Sequence, residues 1–99
     1  MRSLKRKVKS NQFVTGDEVI INHMFFRNHG LKFQAFTGTV KGIVPVWESK
    51  IPAIRVSFKY SPVFNQYQSN GYLKYNVSKD NGEFVMLVRI HPMYLERVK

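Results

Sequence analysis

The chain contains no cysteine. That excludes disulfide staples and thiolate metal sites, and it fits a reducing, cytoplasmic setting. Acids are scarce as well: six Asp and Glu stand against sixteen Lys and Arg, leaving a formal net charge of +10 in 99 residues. No paired carboxylates, acid-rich magnesium cluster or phosphate-cradling glycine loop emerges from this inventory. The three histidines, His23, His29 and His91, match no zinc spacing. The expectation is a non-catalytic chain with no metal and no cofactor. No apolar run reaches the roughly 18 residues of a membrane span. The basic start, Met1 to Gln12, lacks the apolar segment of a secretory signal.

What is present is enough for one core. Hydrophobic residues make up 43% of the chain and aromatics 14%, which suits a single compact domain of this length. The positive charge is uneven. Arg2, Lys5, Arg6, Lys7 and Lys9 fall within the first nine residues, and no acid precedes Asp17. A block of like charge with little apolar periodicity self-repels. Residues 1–12 are therefore read as a flexible basic arm and residues 13–99 as the folded domain.

From Phe13 onward, short apolar runs alternate with turn residues. Glu18 to Phe25 reads as a strand after the Thr15-Gly16-Asp17 turn. Phe36 to Val46 reads as a second, with Gly38 and Gly42 marking bends or bulges. Ile54 to Tyr60 alternates, with Ile54, Val56, Phe58 and Tyr60 on one face and Arg55, Ser57 and Lys59 on the other. Ser61 to Asn70 reads as a polar, aromatic loop. Leu73, Tyr75 and Val77 then face one way, before a tight turn at Asp80-Asn81-Gly82 and a central strand over Glu83 to Ile90. After His91-Pro92, residues Met93 to Val98 supply one helical turn or a short closing strand. No stretch of ten residues has helical periodicity. The fold class expected is all-β: a small barrel of five to six short antiparallel strands. Trp47 is expected to close one end of it, with an interface anchor as the alternative role.

Gly16-Asp17-Glu18-Val19-Ile20-Ile21, followed by Thr37-Gly38-Thr39-Val40-Lys41-Gly42-Ile43, resembles the KOW motif, a GD-x-V strand and then a G-x-V strand. The resemblance covers Gly16 to Ile43 and implies an SH3-like barrel of the kind found in large-subunit ribosomal proteins and transcription elongation factors. Tudor-like protein-binding modules share the pattern. The sequence departs from it in a longer, more aromatic loop over Phe26 to Ala35 and an insertion at Ser61 to Gly71. In KOW modules the loop after the first strand approaches nucleic acid, which implies Arg27 and Lys32 as contacts. The residues themselves agree: Arg27 and Lys32 can pair with phosphates, Asn28 can hydrogen-bond to phosphate or base, and Gly30 permits close approach.

Together these features predict a nucleic-acid binder directed at the backbone of duplex DNA or RNA, DNA slightly favoured, with weak sequence specificity. The contact set is Arg2, Lys5, Arg6, Lys7, Lys9, Arg27, Asn28, Lys32, Lys41, Arg55 and Lys59. Base stacking on Phe25, Phe26, Phe33, Phe36, Tyr60, Phe64, Tyr67 or Tyr72 competes with their use as core. Lys, Asn, Phe and Tyr usage fits an AT-rich genome and a small phage-type modulator of host DNA or transcription, nucleoid-associated if DNA is the partner. The alternatives are an adaptor or inhibitor that docks an acidic protein, and a ribosomal protein that binds rRNA.

Overall fold

The computed structural model describes residues 12–46 and 50–98. The arm up to Asn11 and Trp47 lie outside these residues. Six strands form one antiparallel sheet: β1 (Glu18–Ile21), β2 (Thr37–Val44), β3 (Ala53–Lys59), β4 (Lys74–Asp80), β5 (Glu83–Ile90) and β6 (Leu95–Arg97). Their spatial order is β4-β5-β3-β2-β1-β6. The fold is thus all-β and barrel-like, wrapped around one core that draws residues from β1, β2, β3, β5 and β6. The hydrogen-bonded order is linear, with β4 and β6 at its ends. Among the described residues no helix is long and apolar enough to cross a membrane.

β3 follows its sequence alternation. Ile54, Val56 and Phe58 are buried, while Arg55 and Lys59 are exposed. Tyr60 departs from that face: it lies past the strand end and is exposed. β4 pairs with β5 through a two-residue turn. Asp80 stands opposite Glu83, with Asn81 at φ 53° and Gly82 at φ 83°. Positive φ at both central residues is the turn geometry that matches strand twist. β2 carries a bulge between Val40 and Gly42. The closing segment is both things the sequence allowed: a 3-10 turn at Pro92–Tyr94 and then β6, which pairs with β1.

Two short helices replace stretches expected to be strand or loop. β1 ends at Ile21, and His23–Asn28 form α1. Asn22 caps it, its side-chain oxygen accepting from the backbone N–H groups of Met24 and Phe25. The adjacent Phe25 and Phe26 are both buried. A half-buried strand sends successive side chains to opposite faces, so it could not bury both against one core. Val63–Ser69 form α2, whose Phe64 and Tyr67, three residues apart, share one buried face. Both helices stop in the same way. Gly30 and Gly71 adopt φ of 65° and 78°, and the next residues, Leu31 and Tyr72, donate back to the carbonyls of Phe26 and Tyr67. Gly30 is thus a helix terminator rather than a loop tip. The helix rings pack on one another and on the sheet, with Phe25–Tyr67 centroids at 5.6 Å and Phe58–Phe64 at 5.7 Å. Val77 follows the inward phase of β4 but is 50% exposed, because the hairpin overhangs the core.

Candidate nucleic-acid interface

The helices cover the inner side of the sheet, so its outer side is set by the strands alone. β3 places Arg55, Ser57 and Lys59 there. Register then decides what lies beside them. Arg55 is directly opposite Arg89 of β5, and Arg89 is directly opposite Lys74 of β4. Three cations therefore form a row across three strands, spanning about 10 Å at the usual inter-strand spacing. On the other side of Arg55 lies Gly42, immediately after the exposed bulge residue Lys41. Lys59 adds a further charge on β3, opposite Val85.

Like charges directly opposite one another destabilise a sheet, and among the described residues no ion pair offsets them. Among the described residues the one ion pair is Arg97 to Asp17, at 3.1 Å, far from the row. The acids on this face are peripheral. Glu18 and Glu96 sit on β1 and β6 at one end of the sheet, and Asp80 and Glu83 sit beside the hairpin turn. Neutral residues fill the adjacent outward positions: Thr39, Ser57, Leu87 and Asn76. The centre and the β4 side of the face are thus basic and unneutralised.

The sequence-predicted contacts divide between two surfaces. Lys41, Arg55 and Lys59 belong to the outer face. Arg27, Asn28 and Lys32 lie on or just after α1, on the helix side. Arg27 and Lys32 are exposed, and Asn28 Nδ2 makes a long hydrogen bond to the Tyr94 hydroxyl, at 3.4 Å. Near them His23 stacks on Phe33 with centroids 3.8 Å apart and planes within 16°. His23 and Arg27 share a helix face at i, i+4. This is a small cationic platform with exposed rings, whereas Phe25, Phe26, Phe64 and Tyr67 are core. Arg2, Lys5, Arg6, Lys7 and Lys9 fall outside the described residues.

Lys74 and Arg89 were not among the sequence-predicted contacts. Their signal was present: each lies six residues from the ends of the Asp80–Glu83 turn, so the turn alone makes them partners. Arg55 joins them only through the β3–β5 pairing, which no local turn specifies.

Two ionisable groups hold the frame together. The Asp17 carboxylate accepts from the Val14 backbone N–H at 2.9 Å and from Arg97 Nε at 3.1 Å. The backbone bond first, then Arg97, hold its pKa below the ordinary aspartate value. Asp17 thereby ties the turn before β1 to β6. His91 Nδ1 accepts from the Met93 N–H at 3.0 Å, capping the 3-10 turn, and burial lowers its pKa. His29 bonds the Phe25 carbonyl through Nδ1 at 2.8 Å and packs on Tyr72. The three histidines are thus occupied in separate places.

No family model matches the chain, and no curated protein or solved structure is significantly similar to it.

Proposed function

We propose that this chain is a non-catalytic nucleic-acid-binding domain that grips the phosphate backbone with the outer face of β2, β3, β5 and β4. The observation that carries this reading is the row Lys74–Arg89–Arg55. Three cations in register, with no acid between them, cost the free sheet stability that a polyanion returns. Lys41 and Lys59 flank the row. Contacts of this kind read backbone rather than base edges, so sequence preference is weak. Arg27 and Lys32, beside the His23–Phe33 stack, form a second contact region on the helix side that suits an unpaired base. The arm, with its five cations, adds long-range attraction.

We extend the proposal to an SH3-like, KOW-type barrel on the strength of the Gly16 to Ile43 resemblance, within which β1 and β2 pair as consecutive strands. In that reading Ser61 to Gly71, which holds α2, is an insertion, and β4 after it supplies Lys74. A cytoplasmic or nucleoid setting and a phage-type role belong to the same proposal and rest on composition alone.

The test is binding to duplex DNA, single-stranded DNA and structured RNA across a salt series. If Lys41, Arg55, Lys59, Lys74 and Arg89 all meet phosphate, log K falls with log salt at a slope of roughly −4 to −5 on duplex DNA. Replacing Arg55 and Arg89 with Gln lowers that slope by about 2. Absence of binding to every probe at low salt rejects the proposal. The second reading, docking to an acidic protein, draws on Val77 and Phe84, exposed together on the overhanging hairpin beside Lys79. It predicts capture of one acidic protein and no affinity for the three probes.

A further inference from the structure

The geometry points to a subsite for a phosphomonoester, the charged end of a nucleic-acid strand, in the cleft between the C-terminal end of α2 and the start of β4. This rests on the nucleic-acid reading and deepens it. The cleft has a volume of about 350 Å³ and is lined by Gln68, Lys74, Tyr75, Asn76 and Arg89, among others. That volume lies at the lower end of the range for small-ligand sites. It admits a nucleotide-sized group.

Charge selects the ligand. Lys74 and Arg89 are directly opposed across β4 and β5 and have no anionic partner among the described residues. A phosphodiester linkage carries one negative charge, whereas a phosphomonoester carries about −1.5 to −2 near neutral pH. Two facing cations match the monoester. The arginine fork can hold two of its oxygens while the lysine supplies a point charge. The neutral lining adds donors. Gln68 Oε1 accepts from the Tyr75 backbone N–H at 2.7 Å, which fixes the amide and leaves its Nε2 hydrogens to donate. The Asn76 amide lines the same cleft. A row that only tracked a backbone would need no concavity at one end. Here the concavity coincides with the two cations nearest the sheet edge.

The same chemistry could come from a free phosphate compound or from a strand end, and the experiment separates the two. The probes are inorganic phosphate and one short single-stranded DNA prepared with either a phosphate or a hydroxyl at its 5′ end, with a 3′-phosphate version alongside. The readouts are anisotropy at fixed salt and thermal unfolding at low salt. A terminal phosphate should tighten binding about tenfold, as expected for one added charge-assisted contact. That ratio should fall to one in Lys74→Gln and in Arg89→Gln. Without phosphate, Lys74→Gln should also melt higher than the parent, because it relieves a like-charge opposition. A purely structural lysine would melt lower. Equal affinities for phosphate- and hydroxyl-ended strands overturn the inference and leave the backbone reading standing. A ratio that survives both substitutions also overturns it. If no strand binds but inorganic phosphate raises the melting temperature of the parent and not of Lys74→Gln, the nucleic-acid reading falls and the cleft remains a site for free phosphate compounds.

Discussion

Replacing Asn22 tests how the fold holds its helix side in place. Asn22 is 9% exposed, and its side chain spans two elements. Its oxygen accepts from Met24 and Phe25 at the start of α1, at 3.0 and 3.4 Å, and its Nδ2 donates to the Met93 carbonyl in the 3-10 turn at 2.8 Å. Asn22→Ala removes the cap, which costs about 1 kcal/mol. It also strands a partly buried carbonyl, at about 1–3 kcal/mol. The sum is about 2–4 kcal/mol, or a fall in Tm of roughly 10–25 °C for a domain of this size. Asn22→Ser keeps an oxygen for the cap but is too short to reach Met93, so it should recover about 1 kcal/mol of that loss. Urea and thermal melts of the three proteins measure both steps. A shift of less than about 3 °C for Asn22→Ala, or a serine variant no better than alanine, refutes the bridging role. Because α1 carries His23, Arg27 and Asn28, the same variant should loosen that surface while leaving the Lys74–Arg89–Arg55 row in place.

Further outcomes are expected at Gly38, Gly42, Val56 and His91. Gly38→Ala places a Cβ 2.5 Å from the Ser57 carbonyl and 2.8 Å from Phe58 Cδ1, so its urea midpoint should fall by the equivalent of about 1–3 kcal/mol. Gly42→Ala meets nothing within 4 Å and should leave the midpoint unchanged or raise it slightly. Val56→Asp puts an unpaired charge at a fully buried position flanked by Val40 and Val88. Its circular dichroism should be that of an unfolded chain, and a folded variant would contradict the strand facing. His91 has a folded pKa below its ordinary value near 6.5, so the unfolded chain takes up a proton first. The contribution of neutral His91 to stability is full above about pH 6.5 and is lost as pH falls from there through the folded pKa. His91→Asn keeps an acceptor for the cap without titrating, and its Tm should be flat over that interval.

The strands were legible where a local rule fixed them. Arg55, Ser57 and Lys59 alternate with buried Ile54, Val56 and Phe58, and Asp80-Asn81-Gly82 dictates its own hairpin. The helices were not legible, because each is about two turns long and built from residues that also suit strands. Glu18 to Phe25 reads as one apolar run, and only the demand to bury both Phe25 and Phe26 bends it at Asn22. α2 was marked by the i, i+3 pair Phe64 and Tyr67 and by Asn70-Gly71 behind it, a helix stop that reads equally as a turn. On the outer face of the sheet, the sequence shows which cations point outward but not which of them meet. Arg55 and Arg89 are neighbours only because β5, not β4, lies beside β3.

That strand order also bears on how the chain folds. The β4–β5 hairpin closes over two residues and can form on the microsecond scale, whereas β1 with β6 joins Val19 to Arg97, nearly the full length of the domain. Local contacts precede distant ones when loop closure opposes them. If the hairpin has zipped as far as Lys74 and Arg89 in the folding transition state, the repulsion of this opposed pair falls on the folding step rather than on unfolding. Added salt, by screening it, should speed refolding and leave the unfolding rate nearly unchanged, so cations set side by side on one face also act as a brake on its own assembly.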